Sequence, residues 1–264
     1  MIARAPRSEW TTAILDTPGL VPPDATASFI GGSVARGWQH ARSDADVYVV
    51  LSQPWTGPAN GMNTVALSPG VVPTQITHLD DRRWELRYWT EGQVSQLFEK
   101  TGWDVFSADD PTGRRITPYE VAFLCRLATA LPISGVSWLH EAGQRLKASA
   151  FRAILTVRAL NDADAAVEDA LGMVESGDLG SAVLAARTAF GAAVDALTLH
   201  HGEYGLEAKW QDRRVRATQP ALLPIGVYRD FITLRSLDPR SPTDWIMSVL
   251  EWCRRVALEV EVTA

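Results

Sequence analysis

The residue pattern changes once along the chain, near residue 113, and this change limits the folds that are available. Residues 1–113 contain short apolar, β-branched runs separated by Gly, Pro and Asp, a pattern typical of strands joined by turns. The residues after 113 are rich in Ala and Leu at helical spacing. The sequence therefore predicts an α/β (α+β) protein, with a domain over 1–113 that contains a small mixed sheet, followed by a C-terminal α-helical bundle over 114–264.

Four runs in the first part are predicted to be strands. Asp46–Leu51 (DVYVVL) is short, apolar and β-branched, as buried central strands are. Thr74–Leu79 and Trp84–Trp89 are separated by four polar residues, a loop length that joins antiparallel strands. A shorter strand is predicted at Ala27–Ile30. The region therefore contains a hairpin and at least one buried strand.

The second part is predicted to be helical throughout, without heptads or internal repeats. Asp162, Asp178 and Ser241 lie near predicted helix starts, where such side chains cap the first turn. The predicted helices lie near residues 118–131, 136–148, 150–160, 162–176, 180–201, 208–217 and 242–260.

Charge and cysteine content exclude several classes of protein. The chain has 25 Lys and Arg against 31 Asp and Glu, a net charge of −6, so its field repels polyanions and we expect no nucleic-acid partner. Cys125 and Cys253 lack metal-ligand spacing and fit a reducing compartment. No apolar run matches a signal peptide or a membrane span. We therefore expect a cytoplasmic protein with no membrane partner.

The stretch from Phe29 to Leu51 carries the clearest chemical signal. It contains the pair Asp44 and Asp46 directly before the buried strand. In an extended segment these two side chains share one face, about 6–7 Å apart by backbone rise, so both carboxylates can reach one divalent ion. Oxygen ligands of this kind suit Mg²⁺. The alternative is a solvated acidic loop that precedes a strand.

Two further features complete a candidate site. The turn Gly31-Gly32-Ser33 follows a predicted strand and can present backbone N–H groups and a hydroxyl to an anionic phosphate. A third carboxylate is needed to clamp two metal ions or to deprotonate a nucleophile, and Glu85 is the best candidate. Residues 1–113 carry 8 basic and 13 acidic groups, so bound cations would have a use there.

These residues resemble the nucleotidyltransferase superfamily that includes DNA polymerase beta and the antibiotic adenylyltransferases. The signature of that superfamily is Gly-Ser, a helix and Asp-x-Asp, and here it is read as Gly32-Ser33 through Asp44-Ala45-Asp46. Arg36 and Ser43 also fit the pattern of smaller bacterial members. The resemblance implies a nucleotidyltransferase domain over 1–113 and a helical acceptor-binding domain over 114–264.

Two more segments are similar to streptomycin/spectinomycin-type adenylyltransferases. WELRYWTEG around Glu85 looks like their strand-borne third carboxylate, which is a metal ligand and the proposed base. LAARTAFGAAVDALTLHHGEYGLEAKW resembles their helical C-terminal domain, and Arg187, Lys209 and Trp210 carry this similarity. The resemblance implies transfer of a nucleoside monophosphate, usually AMP from ATP, to an acceptor hydroxyl, with two Mg²⁺ ions and release of pyrophosphate.

The site is therefore predicted in three parts. Asp44, Asp46 and Glu85 are the predicted catalytic and metal-binding residues, with Glu85 as the base. Arg87 and Trp89 share the strand face of Glu85 and are predicted to bind the acceptor, although core packing is the alternative for Trp89. The predicted nucleotide-binding residues are Gly31, Gly32, Ser33, Arg36, Ser43, Arg187 and Lys209.

Alternatives remain open at several positions. Arg187 either lines a cleft or extends from its helix into solvent, and Lys209 is otherwise a solvated helix charge. The predicted partners are a nucleoside triphosphate and a small-molecule acceptor, either an aminoglycoside-like antibiotic or a biosynthetic metabolite. The alternative functions are a regulatory, antitoxin-type nucleotidyltransferase that modifies a partner protein and a catalytically silent binding homologue.

Overall fold

The computed structural model describes residues 7–15, 17, 19–79, 81–108, 115–205 and 207–262. The strands of this part of the chain are β1 (Ala27–Ile30), β2 (Ala45–Leu51), β3 (Gly61–Thr64), β4 (Val71–Leu79), β5 (Arg82–Thr90) and β6 (Leu131–Ser134). The helices are α1 (Arg7–Leu15), α2 (Gly32–Ala35), α3 (Glu91–Lys100), α4 (Trp103–Ala108), α5 (Pro118–Leu127), α6 (Val136–Ala148), α7 (Phe151–Glu175), α8 (Leu179–His200), α9 (Gln211–Thr218), α10 (Ile225–Ile232) and α11 (Pro242–Glu259), with a 3₁₀ helix at Ala208–Trp210.

The six strands form one mixed sheet in the order β3-β4-β5-β2-β1-β6. β2 and β5 are parallel, and every other pair of neighbouring strands is antiparallel. After β2 the chain runs out to the edge strand β3 and returns through β4 to place β5 beside β2. This excursion supplies the crossover that a parallel pair requires. The predicted α/β class, with a small mixed sheet and C-terminal helices, is confirmed.

Both faces of the central strands are buried. On one face of β5, Trp84 packs against Trp10 of α1, with ring centroids 5.6 Å apart. On the other face, Trp89 packs against Phe123 of α5, with ring centroids 4.3 Å apart. Since β2 has Val47, Val49 and Val50 fully buried, helices cover the sheet on both sides, which explains its near-continuous apolar sequence.

Two strands were not predicted from the sequence. β3 contains Gly and Asn, which have low strand propensity, and it is held at the sheet edge by pairing with β4. β6 pairs with β1, and the hydroxyl groups of Ser28 and Ser134 lie 2.8 Å apart. The helix predicted to reach residue 131 ends at Leu127, and a turn leads into β6, where Pro132 favours extended backbone at Leu131.

The chain divides into two compact units. The first contains residues up to Val105 together with the segment that ends at Ser149, and the second contains a short segment from Phe106 and the chain from Ala150 onward. The composition change near residue 113 predicted an earlier boundary. The segment after 114 joins the first unit because it carries β6, which completes the sheet, and α5, which covers one sheet face.

The second unit is a bundle of helices built around α7 and α8. A single 25-residue helix, α7, replaces the two helices predicted on either side of Asp162. Alanines on the facing sides of α7 and α8, among them Ala170 and Ala186, are fully buried and let the two backbones approach closely. α10 was not predicted.

Helix α8 is long and apolar enough to span a membrane by length and composition, although no span was predicted from the sequence. Most of α8 is buried in the core of the second unit.

A buried polar network ties α8 to α9 in the second unit. Arg214 is fully buried, and its guanidinium donates to Asp195 Oδ1 at 2.6 Å and to the Glu207 carbonyl at 3.0 Å. The Gln211 amide donates to the same Asp195 oxygen at 2.7 Å and to the Gly191 carbonyl at 2.8 Å. Burial raises the pKa of Asp195, although Arg214 and Gln211 act to lower it. The network pairs charges that would be costly if left alone.

We therefore expect Asp195→Ala to lower the free energy of unfolding by about 3–5 kcal/mol, because it leaves the buried Arg214 charge without its counter-ion. Urea denaturation measures this loss. The double variant Asp195→Leu/Arg214→Leu should lose less than Asp195→Ala alone. Asp212→Ala breaks an exposed pair with Arg229 and should stay within about 1 kcal/mol of the wild type. Equal losses in Asp195→Ala and Asp212→Ala would contradict this role of the network.

Candidate functional site

Two of the predicted carboxylates meet on one face of the sheet. In the parallel pair, Asp46 of β2 stands directly opposite Glu85 of β5. Because side chains alternate between faces with a period of two, Tyr48 and Arg87 form the next pair on the same face, and Trp89 lies one pair further along. This face is therefore acidic near the start of the two strands and becomes aromatic along their length.

Arg87 joins the two carboxylates. Its Nη1 donates to Asp46 Oδ1 at 2.7 Å, and its Nη2 donates to Glu85 Oε2 at 2.5 Å. All three side chains are largely buried, with 15% of Arg87, 21% of Asp46 and 15% of Glu85 exposed. Two carboxylates at paired positions on adjacent strands repel each other, and the planar guanidinium offsets that repulsion with one charged hydrogen bond to each. The structure thus shows Arg87 bound to two carboxylates, and its predicted contact with an acceptor stays a prediction.

Neighbouring side chains hold this arrangement. Arg83, which is about half exposed, forms an ion pair with Glu85 Oε1. The Arg87 guanidinium lies 5.4 Å from the centre of the Tyr48 ring. Burial acts to lower the pKa of Arg87, but its neighbours, with the Asp46 carboxylate among them, raise the pKa above its ordinary value, so the guanidinium stays charged. Burial likewise raises the pKa of Tyr48 and of Tyr119, so both phenols stay neutral.

The Gly31-Gly32-Ser33 turn lies against the Asp46 carboxylate. The Gly31 N–H donates to the Asp46 carbonyl at 2.8 Å. Gly32 has a φ of +65°, and a Cβ there would lie 2.7 Å from Asp46 Oδ2, so only glycine fits. Ser33 is half-buried within α2, which has four residues. The helix expected between the Gly-Ser turn and Asp44 is therefore a single turn.

Arg126 is a basic residue at this turn that the sequence analysis missed. A Cβ on Gly31 would lie 2.9 Å from the Arg126 Cβ, and the Arg126 Nε lies 3.7 Å from the position a Cβ on Gly32 would take. The signal for it was a single cation in the apolar run VAFLCRL of α5. Only the packing of α5 on the sheet brings this residue beside the Gly-Gly turn.

Asp44 lies one residue before β2, which begins at Ala45. It is half-buried like Asp46, and the buried Ala45 lies between them. Among the described residues, no group of three or more His, Cys, Asp or Glu side chains is arranged to hold a metal ion. The structure therefore brings together the pair Asp46 and Glu85, and the metal role of Asp44 stays a prediction.

Two further predicted nucleotide contacts have local roles. The Ser43 hydroxyl is nearly buried and accepts the His40 N–H at 2.9 Å, which closes the turn before β2. The guanidinium of Arg36 lies 4.0 Å from the centre of the Trp38 ring. Both residues follow the Gly-Ser turn, and their nucleotide contacts stay predictions.

Trp89 belongs to the core. Its ring has no exposed surface and lies between Tyr119, at a centroid distance of 5.7 Å, and Phe123. The prediction that Trp89 forms an aromatic wall for an acceptor is therefore wrong. The predicted sheet face of Trp89 is correct, because Trp89 lies on the same face as Glu85. Helix α5, however, covers that part of the face.

Arg187 and Lys209 lie in the second unit. Arg187 is exposed on α8 while Val183 and Phe190 on the same helix are buried, so it extends into solvent instead of entering the apolar face. Lys209 is exposed in the 3₁₀ helix, with its Nζ 5.5 Å from the centre of the Trp210 ring. The structure shows no contact that assigns either residue to a nucleotide, and both roles stay predictions.

Comparison with known proteins shows similarity to solved structures only. No protein-family profile and no curated protein sequence matches this chain. Among solved structures, a nucleotidyltransferase-like protein from Exiguobacterium sibiricum is similar at 13% sequence identity and a TM-score of 0.48, over 96% of this chain and 72% of that one. The fold and the site described above rest on the strands and registers of this chain and not on that similarity.

Gly32→Ala should disturb the site directly. The backbone at this position is left-handed, a conformation that costs a residue with a Cβ about 1–2 kcal/mol. The new Cβ would also push the Asp46 carboxylate from its place. We expect a loss of at least about this size in the free energy of unfolding, measured by urea denaturation. Gly143→Ala is the matched control, because its Cβ meets nothing within 4 Å in helix α6, and it should gain about 0.5–1 kcal/mol. Equal stabilities would contradict the close approach at Gly32.

Proposed function

We propose that this protein is a Mg²⁺-dependent nucleotidyltransferase that moves a nucleoside monophosphate, most simply AMP from ATP, to a hydroxyl group of a small molecule and releases pyrophosphate. One observation carries the proposal: the Gly31-Gly32-Ser33 turn packs on Asp46, and Asp46 stands in register with Glu85 on the neighbouring parallel strand. A turn that can hold phosphate thus lies beside two carboxylates that can hold a cation.

The reaction assigns a task to each group. The acceptor oxygen attacks the α-phosphorus, a new P–O bond forms, and the bond to the leaving pyrophosphate breaks with its electron pair going to the pyrophosphate oxygen. The Glu85 carboxylate would accept the proton of the acceptor hydroxyl. The turn amides and the Ser33 hydroxyl would hold the β- and γ-phosphates, and Arg126 would add positive charge beside them.

The residues present fit a divalent cation in part. Asp46 and Glu85 already surround one cation, the guanidinium of Arg87, and their oxygens are of the type that Mg²⁺ prefers. Asp46 is the residue that would hold the ion, with Asp44 as a further ligand. When bound, Mg²⁺ supplies neutralisation of the triphosphate and of the charge that develops on the leaving oxygen. ATP and Mg²⁺ are therefore the proposed donor and cofactor.

The charges around the site indicate which charge the acceptor should carry. Asp46 and Glu85 are both engaged by arginines, and Arg126 adds another cation nearby, so the face that carries the reaction is not an acidic surface. An acidic cleft would favour a polycation such as an aminoglycoside, whereas this balance favours a neutral hydroxyl compound. We therefore propose a neutral metabolite with a free hydroxyl as the acceptor, ahead of a polycationic antibiotic.

Asp46→Asn should abolish release of pyrophosphate from ATP in the presence of Mg²⁺ and an acceptor, because it removes the carboxylate next to the turn. Glu85→Gln should lower kcat by about 10²–10⁴-fold, the range expected for loss of a general base. A coupled pyrophosphate assay over a panel of neutral sugars, nucleosides and aminoglycosides measures both. Asp24→Asn changes an exposed carboxylate of the same unit and should keep wild-type activity.

The same assay distinguishes the alternatives. Full activity in Asp46→Asn would contradict the assignment of the site. Transfer of radiolabel from ATP to a protein, with none to any small molecule, would favour the regulatory nucleotidyltransferase over an enzyme of small-molecule metabolism. Absence of pyrophosphate release with every nucleoside triphosphate, together with retained nucleotide binding, would favour a catalytically silent homologue.

A further inference from the structure

The Arg87 guanidinium occupies the space between Asp46 and Glu85 where a cation would otherwise be needed. Its Nη1 donates to Asp46 Oδ1 at 2.7 Å, and its Nη2 donates to Glu85 Oε2 at 2.5 Å. The second oxygen of Glu85 is engaged by Arg83. Asp46 Oδ2 is the remaining oxygen of the pair, and it faces the position that a Cβ on Gly32 would take, 2.7 Å away. The carboxylate oxygen available to a metal ion therefore points at the phosphate-binding turn.

The sequence around Glu85 explains why the cation is an arginine. Arg87 lies two residues after Glu85, so the strand places both side chains on the same face, and the parallel register places Tyr48 directly opposite Arg87. The Tyr48 ring lies beneath the guanidinium at 5.4 Å, and Tyr48 is itself fixed by stacking on Phe29 at 5.0 Å. The guanidinium is thus held in place by a buried aromatic layer, and 15% of the Arg87 side chain is exposed.

The charges of the site residues also disfavour the binding of two divalent ions. Two divalent ions carry four positive charges, which exceed the −3 of three carboxylates, so the negative charge of the triphosphate must balance the excess. Here two carboxylates lie together, Arg87 already provides one positive charge, and Asp44 stands outside the strand. A second divalent ion between Asp46 and Glu85 would have to displace a planar, doubly hydrogen-bonded guanidinium or lie beside it, where like charges repel strongly in a site of low exposure.

We propose that Arg87 is a built-in cation that takes the place of one of the two divalent ions, so that the site holds a single divalent ion, on the Oδ2 side of Asp46 next to the Gly32 turn. This inference rests on the proposed function, because it concerns the metal that the transfer reaction would use. Arg87 acts as a positioning residue: it holds the Glu85 carboxylate in place whether or not the ion is bound.

Counting bound Mn²⁺ tests the proposal without measuring activity. Mn²⁺ is titrated into the full-length protein with saturating α,β-methylene-ATP, and the free ion is followed by its electron paramagnetic resonance signal. We expect one bound ion per chain in the wild type and two in Arg87→Met, with the second ion gaining at least about tenfold in affinity, a difference of about 1.4 kcal/mol. Arg83→Gln is the matched control, since Arg83 contacts Glu85 alone, and it should bind one ion.

Each result supports or overturns the inference. Two ions in the wild type would overturn it while leaving the proposed function intact. One ion in Arg87→Met, with circular dichroism showing a folded chain, would also overturn it. If Arg87→Met does not fold, Arg87→Lys decides, because it keeps one positive charge and should still bind a single ion. Neither Mn²⁺ nor nucleotide bound by the wild type would overturn the proposed function, and this inference with it.

Discussion

The parallel pairing of β2 with β5 is the interaction on which the rest of the site depends. It places Asp46 opposite Glu85, two residues that are 39 positions apart in sequence and that no local rule brings together. Because a parallel pair requires a crossover, the chain must first form β3 and β4 and then return. The site therefore exists only once the sheet has formed, and residues far from the carboxylates contribute to its geometry through the strand register.

Pairing two carboxylates creates an electrostatic problem that the same strand solves. Arg87 follows Glu85 on its face, and its guanidinium donates to both carboxylates. An unpaired buried carboxylate pair would be expensive, whereas a planar cation between them provides one charged hydrogen bond to each. The same arrangement changes the electrostatic character of the site. Both carboxylates are paired with arginines, so the net acidity of residues 1–113 does not describe the charge on this face.

The aromatic layer beyond Arg87 shows how far residue patterns can be read from sequence. The alternation of β5 correctly places Glu85, Arg87 and Trp89 on one face. It does not show what covers that face. Helix α5 packs Phe123 and Tyr119 against Trp89, whereas Asp46 and Glu85 keep partial exposure, so residues of one face divide into core and site. For Asp44 the alternation was extended one residue before the start of β2, and its role beside Asp46 stays a prediction.

The sequence by itself determined the order of a strand-rich part followed by helices, the strands β1, β2, β4 and β5, the Gly-Ser turn and the candidate carboxylates Asp46 and Glu85. These follow from composition, periodicity and turn chemistry, which act over a few residues. The tertiary structure alone decided that β6 joins the sheet, that Arg126 reaches the Gly-Gly turn, that Trp89 is buried and that Arg87 lies between the carboxylates. Each of these depends on contacts between distant segments, whose free energy comes from packing and charge pairing and leaves no local pattern.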